Sequence, residues 1–128
     1  MCRIAIVGRD SGYLRQLEIL LSQYNQVDVY KPRSYKELEN FVEDVSQKKP
    51  NLLICELCMG DVSAITVFDM IKKRKDIPPM NYILIEQSEL EYIKDFESLA
   101  EALEACLFIE KHMLINILQK GLSISLRS

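Results

Sequence analysis

Asn51-Leu52-Leu53-Ile54-Cys55-Glu56-Leu57 is apolar without alternation for four residues and then meets a carboxylate. A short, continuous apolar run of this kind is a strand covered on both faces, the signature of a central position in a parallel sheet. Glu56 therefore falls at the carboxyl end of a central strand. Parallel neighbours need crossover connections, so the flanking sequence has to supply helices.

It does so on both sides. Residues 3–7 (RIAIV) read as a buried strand and residues 11–24 as a helix with Tyr13, Leu17, Leu20, Leu21 and Tyr24 on one face. Residues 27–30 (VDVY) alternate, which suits a less buried strand. The segment 34–49 is helical, with Ser34 as N-cap and a stripe of Leu38, Phe41, Val42 and Val45. Beyond the central strand the sequence predicts a loop around Met59, Gly60 and Asp61, then a helix over 64–75 with Ile65, Phe68 and Ile71 inward. Asp76-Ile77-Pro78-Pro79 stops that helix. Strands follow at 81–86 and 106–111, separated by a helical pattern at 88–105, and a last helix covers 114–122. Five β–α units joined by right-handed crossovers predict a single α/β domain: a doubly wound (βα)5, flavodoxin-like fold with a parallel five-stranded sheet in the order 2-1-3-4-5. Residues 1–122 form the domain in this reading, and 123–128 a tail or the start of a linker. Ligand sites of such folds lie outside the carboxyl ends of the strands, which gathers Gly8 to Ser11, Glu56 to Gly60, Glu86 to Glu89 and Lys111 around one crevice.

Composition narrows the function classes. The chain has 128 residues, 48% apolar and 27% charged, as expected of one globular domain. A net charge of −3 with scattered Lys and Arg gives no basic footprint for direct nucleic-acid binding. No apolar run approaches the roughly 20 residues that cross a bilayer, and the first ten residues turn polar too early for a signal peptide, so a cytoplasmic protein is expected. Of Cys2, Cys55, Cys58 and Cys106, the Cys55-Glu56-Leu57-Cys58 pair has redox or zinc spacing. Zinc would need two further ligands, and His112 is the sole histidine. A redox CxxC opens a helix, whereas this one ends a strand, so reduced thiols are expected.

The Gly8-Arg9-Asp10-Ser11-Gly12 turn is neither a P-loop nor a GxGxxG fingerprint. Its glycines are explained by backbone freedom in a tight strand-to-helix turn.

The layout from residue 3 to about 120 resembles the receiver domain of bacterial two-component response regulators. Residues 51–61 are similar to the strand that ends in that family's phosphorylated Asp, with Glu56 in its place. Residues 81–89 resemble the next strand, with Glu86 where a Ser or Thr stands. Residues 104–112 resemble the last, with Phe108 at the aromatic switch position and Lys111 at the lysine. The acidic pair that holds Mg²⁺ in the family matches Gly8 and Arg9, leaving Asp10 as the nearby acid. The family's proline after the lysine is His112 here.

Phosphoryl transfer to a carboxylate is mostly positioning and charge neutralisation. Glu56 is one methylene too long, and Glu86 would oppose a phosphoryl group about 4 Å away by roughly 4 kcal/mol at an effective dielectric of about 20. The resemblance therefore implies an atypical receiver that is not an enzyme, holds no cofactor or metal, and acts through protein contacts. In this reading the Arg9 guanidinium, with Lys111, pairs Glu56 and Glu86 in a fixed ion-pair network. Two alternatives stand beside it: a functional phosphoacceptor served by a histidine kinase through Glu56 or Asp61, and a thiol-redox or ligand sensor using Cys55 and Cys58. The family's contact face, built from the fourth helix, fifth strand and fifth helix, implies a homodimer surface including Tyr92, Phe108 and Glu110. It also implies a DNA-binding output domain in a longer chain.

Overall fold

A computed structural model describes residues 2–56, 58–59, 62–86 and 106–125. The main sheet contains β1 (Arg3–Val7), β2 (Gln26–Tyr30), β3 (Leu52–Glu56), β6 (Asn81–Glu86) and β7 (Cys106–Glu110). Between β3 and β6 lie two short strands, β4 (Cys58–Met59) and β5 (Val62–Ser63). The helices are α1 (Ser11–Leu21), α2 (Tyr35–Lys48), α3 (Ala64–Lys73) and α4 (Lys111–Ser125). All main-sheet pairings are parallel, in the order β2-β1-β3-β6-β7. The order expected from sequence, 2-1-3-4-5, counts five strands. Members four and five are here the sixth and seventh strands of the chain, because Cys58–Met59 and Val62–Ser63 pair antiparallel where a plain loop was expected.

Strict alternation along the central strands divides the core in two. Ala5, Val7, Leu53, Cys55, Tyr82 and Leu84 face one side, where Leu38, Phe41, Val42 and Val45 of α2 and Val67, Phe68 and Ile71 of α3 cover them. Ile4, Ile6, Ile54, Ile85 and Ile109 face the other, under Tyr13, Leu14, Leu17 and Leu21 of α1 and Leu114 and Ile115 of α4. This is the doubly wound arrangement, and it explains why β1 from Ile4 to Val7 and β3 from Leu52 to Cys55 are apolar without alternation. The same parity places the Glu56 side chain, two residues beyond Ile54, on the α1–α4 side.

The helix faces differ from expectation at three points. α1 ends at Leu21, so Tyr24 lies beyond it and is exposed, while Leu14 joins the core. α3 buries Ala64, Val67, Phe68 and Ile71, an i, i+3, i+4, i+7 set that leaves Ile65 outside. α4 begins three residues before the expected 114 and extends to Ser125. Ser34 does cap α2: its hydroxyl accepts from Glu37 N at 3.2 Å. The expected helix over 88–105, with Tyr92, and the residues Gly60 and Asp61 lie outside the described residues, as do the side chains of Cys58, Glu86 and Phe108.

Candidate functional site

The crevice forms at the carboxyl ends of β1, β3 and β7, where α1 and α4 begin. Gly8 continues β1 by donating to Tyr30 O at 3.0 Å, after which the chain turns into α1. Asp10 is the N-cap of that helix, its Oδ1 accepting from Tyr13 N at 3.3 Å. At the other wall β7 passes into α4 without a loop: Glu110 is the last strand residue and Lys111 the first helical one. Glu110 Oε2 accepts from Met113 N at 2.9 Å, in the manner of an N-cap. The amides of His112 and Met113 hold its carboxyl below the usual carboxylate range.

Glu56 fills the floor. It is 0% exposed, and its Oε1 accepts from the backbone amides of Arg9 (2.9 Å) and Asp10 (3.0 Å). Burial raises its carboxyl above the ordinary 4.5, partly offset by those two amides. Gly8 is required by this contact: a Cβ there would sit 2.3 Å from Glu56 Oε1 and 2.8 Å from its Cγ and Cδ. The reason is close approach of the carboxylate, in place of the backbone freedom expected from sequence.

The expected ion-pair network is corrected at Glu56, while its Glu86 part lies outside the described residues. Arg9 is exposed and makes no ion pair among the described residues; it reaches Glu56 through its main chain. Lys111 turns to Asp10, Nζ to Oδ2 at 3.0 Å, with its ammonium 5.1 Å from the centre of the Tyr13 ring. The Tyr13 hydroxyl donates to Lys111 O at 2.8 Å and, on a buried side chain near Glu56, is held well above the ordinary phenol range by desolvation. The hydrogen bond from Lys111 holds the Asp10 carboxyl low, aided by the Tyr13 amide. Tyr13 and Glu110 thus act as fasteners of the crevice, one read from sequence as core and the other as interface. Tyrosine at the third position of a helix that opens on a crevice is the signal that could have marked the first.

Removing the ammonium with Lys111→Met should let Asp10 titrate closer to its ordinary 3.8. The pair contributes stability above that pH, lost as pH falls through the depressed midpoint; with Asp10 about half exposed, the loss in the variant at neutral pH is about 1 kcal/mol or less. Carboxyl ¹³C titration of Asp10 checks this, and an unmoved midpoint contradicts the pairing.

Among the described residues, these donors do not suit a divalent cation. Mg²⁺ takes carboxylate oxygens and water. Asp10 has one oxygen on its helix cap and the other on Lys111, Glu56 Oε1 is held by two amides, and Gly8 and Arg9 bring no acid. Cys55 is buried on the α2–α3 side, facing away from the crevice.

No family model and no curated protein sequence matches the chain. Solved structures do. The chemotaxis protein CheY4 of Vibrio cholerae superposes with a TM-score of 0.70 at 9% identity, covering 94% of this chain and 98% of that one. The signal receiver domain of a LuxO repressor protein from Vibrio parahaemolyticus gives 0.71 at 18%, covering 98% and 90%. A phosphorylated cyanobacterial phytochrome response regulator, RcpA, gives 0.71 at 14%, covering 93% and 89%. The fold is that of response-regulator receiver domains. In a receiver fold the crevice just described is the one at the carboxyl ends of the central strands, and Glu56 closes it from below.

Proposed function

We propose that this chain is an atypical receiver module that acts in signal transduction or transcription control through protein contacts, without aspartyl phosphorylation. The observation that carries the reading is the commitment of Glu56 Oε1 to the amides of Arg9 and Asp10 in a fully buried pocket. An attacking carboxylate oxygen must be free and in line with the phosphoryl donor. Oε1 is already doubly hydrogen-bonded at the turn, and Oε2, though without a hydrogen-bond partner among the described residues, is shielded from solvent, so neither oxygen is presented to an incoming phosphoryl donor. The phosphorylated state named for RcpA belongs to RcpA.

Partner contacts fall, in this reading, on the face made by residues 88–105, β7 and α4, as a homodimer or against a kinase or output domain. A DNA-binding output domain beyond residue 122 would make the whole a transcriptional regulator. Glu110 contributes to that face only in part, since one oxygen caps α4. Among the described residues no helix is long and apolar enough to cross a membrane, and a cytoplasmic setting is part of the proposal.

Incubation with acetyl phosphate and Mg²⁺, followed by intact mass measurement, tests the reading. The expected spectrum is that of the unmodified chain. A stable phosphoryl adduct on Glu56 or Asp61 would overturn it in favour of a working phosphoacceptor.

A further inference from the structure

The clamp on Glu56 is one-sided. Oε1 accepts two amides, whereas Oε2 is shielded from solvent and has no hydrogen-bond partner among the described residues. A buried anionic oxygen without a donor or a cation is strongly disfavoured, and a protein answers it by binding a proton. Among the described residues, the groups around the pocket do not supply a free cation. The Arg9 guanidinium is exposed on the turn, Lys111 of α4 is held by Asp10, and Tyr13 of α1 gives its proton to Lys111 O. Asp10, on the turn, and Glu110, at the end of β7, add negative charge near Tyr13.

We propose that Glu56 is a proton-binding site that couples the hold on the Gly8–Asp10 turn to pH: a proton on Oε2 completes the clamp, and its loss puts an unpaired charge in the core and loosens the turn. The proposal rests on the reading of Glu56 as a clamp and adds to it a regulation by proton concentration. The linkage has a definite sign. Burial favours the protonated acid in the folded state, so this contribution is full below the ordinary 4.5 and is lost as pH rises through the higher folded-state midpoint. Asp10 and Glu110, both held low, contribute in the opposite direction at more acidic pH, so a comparison with a neutral variant isolates Glu56.

Glu56→Gln keeps an oxygen for the two amides and cannot ionise. Denaturant unfolding of the full chain and of E56Q, in steps from about pH 4.5 to about pH 8, measures the linkage. The folding constant of the native chain relative to E56Q should fall about tenfold per pH unit between 4.5 and the folded-state midpoint of Glu56. A ratio independent of pH over that range overturns the proposal. Should E56Q fail to fold, the Glu56 carboxyl ¹³C titration in the native chain decides: a midpoint above 4.5 supports it, and one at or below 4.5 overturns it. A phosphoryl adduct in the phosphodonor experiment would remove the functional reading separately, without altering this pH dependence of the unmodified chain.

Discussion

Replacing Gly8 with alanine is expected to destabilise the domain by about 2–4 kcal/mol and to release Glu56 from the β1–α1 turn. The added methyl would lie 2.3 Å from Glu56 Oε1, closer than any carbon–oxygen contact allows. Rotating the terminal carboxyl away is not sufficient, because Cγ lies only 2.8 Å from the same point. The side chain has to leave its pocket and give up both amide hydrogen bonds, from Arg9 and Asp10. Each is worth about 1 kcal/mol or more when the donor is left buried and unpaired. The effect should vanish largely in a Glu56→Ala background, where the blocking atoms are gone. A double-mutant cycle by urea unfolding reads this as a coupling of about 1–3 kcal/mol, and additivity of the two changes would contradict the contact.

Phe68→Ala should cost about 3–5 kcal/mol, the largest loss expected from a core substitution here. Phe68 is 1% exposed and meets Tyr82 of β6 edge to face, ring centres 5.1 Å apart at 83°. It ties α3 to the strand beside β3, within the core cluster opposite the crevice. Truncation leaves a cavity that the surrounding Val67, Ile71 and Leu84 side chains can only partly collapse, and the aromatic pair is lost as well. Against a typical total stability of about 5–15 kcal/mol, the variant should be marginal, with a clearly lowered midpoint in denaturant at unchanged slope. A loss below about 1 kcal/mol would show that α3 is not seated as described.

These two positions differ in how far they could be read from the chain alone. The burial of Phe68 was legible, since it recurs with Ile71 on a helical stripe. So were Leu38, Phe41, Val42 and Val45 of α2 and its Ser34 cap, because amphipathic period and capping chemistry are local. Ile65 was misplaced although the start of α3 at Ala64 was legible, because 65, 68 and 71 drift off one helical face, whereas the buried Ala64, Val67, Phe68 and Ile71 keep to it. The β4–β5 pair was missed although Gly60-Asp61 has the composition of a two-residue hairpin turn, because two-residue strands carry no periodicity to detect.

The crevice was legible as a location and illegible as a wiring. Strand parity and the topology rule brought Gly8, Arg9, Asp10, Glu56 and Lys111 together from the sequence. Opposite charges suggested that Arg9 would pair with Glu56 through its guanidinium. The donors are instead main-chain amides, which every residue but proline carries and no side-chain pattern reveals. The preference of Lys111 for Asp10 follows from where the helix cap holds that carboxylate, a matter of backbone path rather than residue type.

The central claim is that the Glu56 clamp occupies the place where a metal and a phosphoryl group would act. Amide resonances of Arg9 and Asp10, followed by heteronuclear NMR while Mg²⁺ and beryllofluoride are added, test it most directly. The account predicts that both amides keep their positions, still bonded to Glu56 Oε1. Saturable shifts of those two signals, with slowed exchange around Glu56 and Lys111, would contradict it.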